Sequence, residues 1–415
     1  MVWHVSMRYF LAHKRQSLVC IAGVTISVTM YVAMSALMAG FSDKFIIETV
    51  ESSGHISIGD EPRESRTPIL EQAFPDPDAL RALVGSKPRD QVKKIKNPDG
   101  VLGKLRRLPG VIAAAPEVTG QAIVSYGTKE MSLSIIGVEP EAQTRVTTIG
   151  QNIIEGDFSR LRATADGLVI GRGVSLVLGA RLDDVVTLVS PNGGRTTARV
   201  IGVFETGVTP VDYSRAYMLI NNAQTLLDRK NVINRITIRT DDYNKAEEYA
   251  RQIESIVGYK TESWQESNSN FLKIFRVQEV ITTVITGSLL VVAAFGVLNI
   301  LIMAVLERIN DIAILRSFGL SRLDITRIYL IQGLVIGLVG AVGGLACGKA
   351  LVEGLRRLPI PVEGLVKTEG LLMSEHPHHY YMAFISAMVV VALAAMYPAR
   401  RAAGYDPVEV IRGAH

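Results

Sequence analysis

Gly343-Gly344-Leu345-Ala346-Cys347-Gly348-Lys349 has the G-x-x-x-x-G-K spacing of a loop that cradles phosphate with backbone N–H groups. The chemistry fails one residue later. Ala350 stands where Ser or Thr must reach magnesium, and the run closes an apolar stretch instead of following a strand. Gly171-Arg172-Gly173 follows a strand-like run but lacks the third glycine of a dinucleotide fingerprint, so it reads as a turn. His376, His378 and His379 carry ring nitrogens that can bind a metal. No cysteine or second histidine cluster accompanies them, so they read as a polar loop and no metal is expected. No H-E-x-x-H, G-x-S-x-G or C-x-x-C occurs. Without a nucleophile–base pair, a non-enzymatic chain with no catalytic residues and no bound cofactor is expected. Cys20 and Cys347 both lie in apolar stretches and read as small apolar filler, not as a disulfide framework.

The segment Glu307 to Gly319 is more informative. Ile312, Leu315 and Phe318 recur near helical spacing, which predicts a short amphipathic helix that Gly319 can stop. Ser321 and Asp324 form a capping box that starts the next helix. Near the C-terminus Pro398 ends an apolar stretch. Asp406 then caps a second short helix, with Pro407 in its first turn and Glu409 at its third position. A short helix with an apolar face between two spanning helices suits a groove on a cytosolic partner. It equally suits the lipid interface.

The elements that must position this segment are membrane helices. Of 415 residues 48% are hydrophobic and 20% charged, against about 25% charged in soluble domains. The mean hydropathy is +0.25. Charges are absent from Ser17–Ser42, Val280–Leu306, Ile328–Gly348 and Tyr380–Tyr397. Each is close to the ~20 residues that cross a bilayer core as a helix. The first run exceeds a signal peptide's apolar core and has no A-x-A site, so an uncleaved helix is expected. Arg8, Lys14 and Arg15, then Arg308, Arg316, Arg322 and Arg327, then Arg400, Arg401 and Arg412 fall on one side if both termini are cytoplasmic. Lys349, Arg356, Arg357 and Lys367 then fall outside. The organisation expected is a cytoplasmic N-terminus (1–16), helix one (17–42), a periplasmic domain (43–279) and helix two (280–306). A cytoplasmic loop (307–327), helix three (328–348), a periplasmic loop (349–379), helix four (380–397) and a cytoplasmic C-terminal helix (398–415) complete it. Gly333, Gly337, Gly340, Gly344 and Gly348 line one stripe of helix three, a pattern that lets helices approach closely. The net charge of +4 shows no basic stripe with interleaved aromatics, so no nucleic-acid partner is expected.

The domain between helices one and two reads as α+β. Ala122–Val124, Leu133–Ile136, Gly167–Ile170, Val185–Val189, Thr197–Phe204 and Arg235–Arg239 read as strands. Pro191-Asn192-Gly193-Gly194 reads as a tight turn. Asp241 or Asp242 caps a helix to about Val257, and a last strand leads to Trp264. Residues 60–96, rich in Pro and charge, read as the most flexible segment.

Residues 307–319 resemble the loop after the second helix of the MacB/FtsX-type permeases of ABC transporters. Tyr397-Pro398-Ala399-Arg400-Arg401-Ala402-Ala403 with Asp406-Pro407 resembles the same family's C-terminal motif. Within it, the lipoprotein-releasing permeases LolC and LolE are most similar. Ala39-Gly40-Phe41 with Gly54-His55-Ile56 looks like their exit from helix one. Pro109-Gly110-Val111 to Pro116, Gly120-Gln121, Ile136-Gly137-Val138-Glu139-Pro140 and Phe204-Glu205-Thr206-Gly207 with Asp212 look like their domain. The resemblance implies a permease whose coupling helix docks, through Asp311, Ile312, Leu315, Arg316, Phe318 and Gly319, on a separate cytosolic ATPase dimer that holds ATP and magnesium. It implies a second permease subunit, identical or homologous, membrane lipid around both, and a mechanical stroke passed to the periplasmic domains. A porter-like part (about 53–148 and 232–266) would carry a β-rich insert (about 148–231). Lipoproteins and a periplasmic carrier are the implied cargo and acceptor. The alternatives are a MacB-type exporter of small molecules or peptides with a periplasmic adaptor, and an FtsX-like regulator of a cell-wall hydrolase. One departure is the short turn Ser190–Thr196, where LolC has a long hairpin that contacts the carrier.

Overall fold

The structure is a computed structural model and describes residues 6–8, 14–59, 94–359, 367, 370–405 and 410. In chain order, α1 (Lys14–Ser53) leads into β1 (Ile56–Gly59), α2 (Pro98–Leu105), β2 (Val111–Tyr126), β3 (Lys129–Val138) and α3 (Pro140–Val146). Next come β4 (Ile153–Gly156), β5 (Gly167–Gly171), α4 (Arg172–Leu178), β6 (Val185–Val189) and β7 (Arg195–Phe204). Then follow β8 (Arg215–Leu219), α5 (Ile220–Leu226), β9 (Arg235–Thr240), α6 (Ala246–Val257) and β10 (Lys260–Ser263). The chain closes with α7 (Ser269–Glu307), α8 (Ile309–Ser317), α9 (Arg322–Arg356) and α10 (Pro377–Gly404). These residues divide into two compact units.

In the first unit α1, α7, α9 and α10 are long and apolar enough to cross a membrane. Val24, Val28 and Val32 of α1 pack with Val297 and Leu301 of α7, Ile336 of α9, and Val391 and Ala395 of α10. Each expected span lies inside a longer helix. α1 has 40 residues, about 60 Å at 1.5 Å per residue, or twice a bilayer core. Asp43, Lys44, Glu48 and Glu51 end the apolar window but do not break a helix. The chain turns only at Gly54, whose φ is +76°. The boundaries at 43 and 279 therefore mark changes of polarity inside α1 and α7, not ends of elements.

Pro398 corrects a second boundary. The helix runs through it to Gly404. Proline removes one backbone bond, to the carbonyl of residue 394, and its ring crowds that carbonyl. Burial of Ala399, Ala402 and Ala403 carries the helix onward. Asp406, Pro407 and Glu409 lie outside the described residues, as does all but the end of the 60–96 segment.

The second unit is built on one sheet, ordered β10-β1-β9-β2-β3-β8-β5-β7-β4, with β6 bridging β2 and β7. β2, 16 residues long, is its spine. Its first half pairs antiparallel with β9 and its end pairs with β6. Ala122–Val124 and Leu133–Ile136 are thus parts of longer strands. Two cores result. One gathers Ile56, Ile58, Leu105, Ile236, Ile238 and Trp264. The other gathers Leu133, Ile135, Leu168, Val186, Val200 and Met218. β6 and β7 close through Ser190, whose N–H donates to the Gly194 carbonyl at 2.7 Å. Asp242 caps a single 3-10 turn, Tyr243–Lys245, that leads into α6. β1, β4 and β8 are not among the strands expected from the sequence.

Gly171-Arg172-Gly173 joins β5 to α4. A side chain at Gly171 would strike the Asp212 backbone, and one at Gly173 the Tyr213 ring. Asp212 also explains Phe204-Glu205-Thr206-Gly207. Its buried carboxylate accepts from the Thr206 N–H at 2.8 Å, the Thr206 hydroxyl at 2.7 Å and the Gly207 N–H at 3.2 Å. Burial raises its pKa, and these bonds oppose the rise.

His55 is a buried neutral base. Its Nδ1 accepts from the Thr240 N–H at 3.1 Å and lies 2.9 Å from the Thr240 hydroxyl. Burial, with Arg239 nearby, pushes its pKa down to about 4. The unfolded chain takes up this proton near pH 6.5 and the folded chain near pH 4, so stability falls as pH drops through that window. The expected loss between pH 7 and pH 4 is about 3 kcal/mol. Denaturation midpoints of wild type and His55→Gln across that range check it: the wild type should fall more steeply, and equal slopes would refute the assignment.

Candidate functional site

The corner formed by α8, Phe318–Ser321 and the start of α9 holds the residues with the strongest sequence pattern. α8 ends in a Schellman motif. The Leu320 N–H donates to the Leu315 carbonyl at 3.3 Å, the Gly319 N–H donates to the Arg316 carbonyl at 3.0 Å, and Gly319 has φ +95°. Only glycine takes that conformation without strain. One residue on, the Asp324 N–H donates to Ser321 Oγ at 3.2 Å and the Ser321 N–H to Asp324 Oδ2 at 3.1 Å, the expected capping box. Two interlocked caps leave this corner little freedom to bend.

The faces of α8 differ from the sequence pattern. Ile312 is 1% exposed, against Val305, Ile325, Ile328 and Tyr329, and Ala313 beside it is 2% exposed. Leu315 and Leu320 pack on the same cluster. Asn310, Asp311, Ile314, Ser317 and Phe318 are exposed, spaced as one helical face. Phe318 is 81% exposed, and Ile314 and Leu323 join it. The apolar face turned outward is therefore Ile314 and Phe318, four residues apart. Ile312 and Leu315 hold the helix in place from behind. A run with apolar residues on both sides of a helix does not say which side is covered.

Polar residues brace the corner. Arg308 and Asp311 form an ion pair at 4.0 Å. Arg316 reaches back, its Nη1 donating to the Tyr405 carbonyl, and Tyr405 packs on the cluster behind α8. Arg400 and Arg401 are exposed on the last turns of α10, and Pro398 is buried there. The structure thus brings the α8 segment and the described part of the C-terminal motif together in one corner.

The glycines of α9 serve two neighbours. A Cβ at Gly333 would strike Ala395, and one at Gly337 would lie 3.0 Å from Val391, both on α10. At Gly340, Gly344 and Gly348 it would lie 2.7, 2.5 and 2.9 Å from Val24, Val28 and Val32 of α1. Thr25 and Thr29 hydroxyls donate to the Gly340 and Gly344 carbonyls at 3.2 Å. Close helix contact of this kind relies on small residues.

The histidine group is polar and local. His376 Nε2 lies 2.9 Å from Asp43 Oδ2, which also accepts from Ser374 Oγ at 2.6 Å. The His378 and His379 ring centroids lie 3.9 Å apart with the rings tilted by 42°. Among the described residues no three His, Cys, Asp or Glu side chains converge as metal ligands.

Residues 17–256 match the family described as MacB-like periplasmic core domain, and residues 283–407 match the FtsX-like permease C-terminal family. The lipoprotein-releasing system transmembrane protein LolC of Neisseria meningitidis is 26% identical, over 98% of each chain. The LolE protein of Haemophilus influenzae is 27% identical over 74% of this chain and 79% of its own. The macrolide export ATP-binding/permease protein MacB of Bartonella quintana is 25% identical over 96% of this chain and 57% of its own.

Proposed function

The chain belongs to the MacB-like periplasmic core domain family and carries the FtsX-like permease C-terminal region, and from that premise we propose that it is the membrane subunit of an ABC transporter that releases lipoproteins from the inner membrane. Both termini lie in the cytoplasm, and the sheet unit lies in the periplasm. The chain itself is non-catalytic and binds no cofactor; ATP and magnesium sit on a partner ATPase. Two permease subunits and two ATPase subunits make the working unit.

The observation that carries this reading is the outward face of α8. A phenylalanine 81% exposed, with Ile314 one turn away, is mounted on a corner stiffened by two caps. Exposed apolar groups on rigid supports mark binding surfaces. In a groove of the ATPase this face transmits displacement to α7 and α9, whose ends α8 joins. The short β6–β7 turn supports a division of labour in which the second permease recruits the periplasmic carrier.

Purification of the full chain in mild detergent, with mass spectrometry of retained proteins and lipids, tests the assignment. An ABC ATPase together with triacylated proteins is the expected result. An ATPase with a periplasmic adaptor and no lipoprotein would move the assignment to export, and no ATPase would overturn it.

A further inference from the structure

The sheet unit contains a cavity of ≈ 380 Å³ between the C-terminal turns of α1, the helix α3 and strands β1, β2, β8 and β9. Its chemistry is split. On one side Glu117, 4% exposed, accepts from Gln143 Nε2 at 3.0 Å. Gln143 is 2% exposed and Thr49 is 5% exposed. Gln143 and Thr49 both line this cavity, and Gln143 Oε1 and Thr49 Oγ1 make no hydrogen bond within the described residues. Buried polar atoms of this kind are rare in folded proteins, because each forfeits its hydration without return. The amide oxygen beside the Glu117 carboxylate needs a donor, and a cationic N–H donor satisfies both.

The other side is cationic. Arg215 donates to Ser53 Oγ at 3.1 Å and to the buried Tyr217 hydroxyl. Arg235 stands opposite Glu117 in the β2–β9 register. Glu262, also on the wall, is held by Lys260 at 2.5 Å. Two guanidiniums therefore share the cavity with Glu117, whose carboxylate accepts from the neutral Gln143 amide, which calls for an anionic group near the ammonium. A phosphate fits paired guanidiniums well.

The remaining wall is aromatic. Phe45 on α1 and Phe271 on α7 pack with ring centroids 5.2 Å apart, and Trp264 lines the same space. α1 and α7 are also two of the helices long and apolar enough to span a membrane.

We propose that this cavity binds a primary-ammonium phosphate zwitterion, the chemistry of a phosphoethanolamine headgroup, with Gln143, Glu117 and Thr49 holding the ammonium end and Arg215 and Arg235 the phosphate. The site stands on the cavity itself and not on the cargo assigned above. Only the supply of the group by membrane lipid rests on the permease reading.

The test uses the full chain in maltoside micelles with Trp3→Phe, which leaves Trp264 the sole tryptophan reporter. Short-chain phosphatidylethanolamine, short-chain phosphatidylcholine and free phosphoethanolamine are titrated against its emission. Saturable binding of the ethanolamine lipid is expected, at least about tenfold tighter than the choline lipid, whose quaternary nitrogen has no N–H to give. Thr49→Val and Gln143→Leu should each weaken the ethanolamine lipid by about tenfold and leave the choline lipid unchanged. Free phosphoethanolamine binding as tightly as the lipid would assign a soluble source, and much weaker binding would assign the membrane; either supports the site. Equal affinity for the two lipids, unchanged affinity in Thr49→Val, or no saturable change, as for a cavity filled by water alone, would overturn it. If Gln143→Leu fails to fold, the lipid comparison and Thr49→Val still decide.

Discussion

Phe318→Asp is expected to leave the protein inserted and folded while ATP hydrolysis no longer drives cargo release. The ring contributes little to this chain's own core, since it is 81% exposed, and surface changes of that kind usually shift stability by less than about 0.5 kcal/mol. In a partner's groove the same ring is an anchor. Its loss removes roughly 2–4 kcal/mol of docking energy, and the carboxylate adds a desolvation penalty. Release in proteoliposomes with the ATPase present should fall by about a hundredfold, with melting unchanged. Leu315→Asp is the contrasting case. Leu315 is half-buried and packs on the cluster that holds Val305, Ile325 and Tyr329, so a charge there should lower the melting temperature and the yield as well as release. Unchanged coupled release in Phe318→Asp would remove the outward face of α8 as the ATPase contact.

Gly344→Leu should separate α1 from α9. Its Cβ alone would lie 2.5 Å from the Val28 Cβ and 2.9 Å from the Thr25 carbonyl oxygen. Overpacking of a close contact costs about 1–3 kcal/mol. The hydrogen bond from Thr29 Oγ1 to the Gly344 carbonyl, at 3.2 Å, is lost with the helix approach. A melting temperature several degrees lower in detergent, with reduced folded yield, is the expected result. Val28→Ala should return part of the loss, because it clears the atoms that clash. Gly287→Ala is the control: nothing lies within 4 Å of its Cβ position, so the change should be neutral or stabilising by up to about 1 kcal/mol. A Gly344→Leu protein as stable as wild type would show that the two helices need not touch.

Four features were legible in the sequence because local physics decides them. Uncharged runs of about 20 residues have few stable settings other than a membrane, and all four lie within long helices. Gly319, Ser321 and Asp324 act through their own and neighbouring backbone groups, so the break after α8 and the capping box follow from residue type and spacing alone. The tight turn after Val189 is decided in the same way. The small-residue stripe of α9 marks close approach whatever the partner.

The tertiary structure decided what depends on a second surface. Hydropathy counts charges, so it ended α1 at Ser42, whereas burial of Phe45 and Val50 in the sheet unit carries the helix to Ser53. It ended the last span at Pro398, whereas burial of Ala399, Ala402 and Ala403 takes α10 through the proline. It marked Ile312, Leu315 and Phe318 as one stripe, and only the packing of α8 against α9 and α10 shows that the first two face inward and the third outward. The cavity around Gln143 lies further from sequence: Thr49, Glu117, Gln143 and Arg215 come from four elements, and no spacing links them. Local rules fix helices, caps and turns. Which faces are covered, and which polar atoms are left facing a cavity, depends on long-range packing that a single sequence does not display.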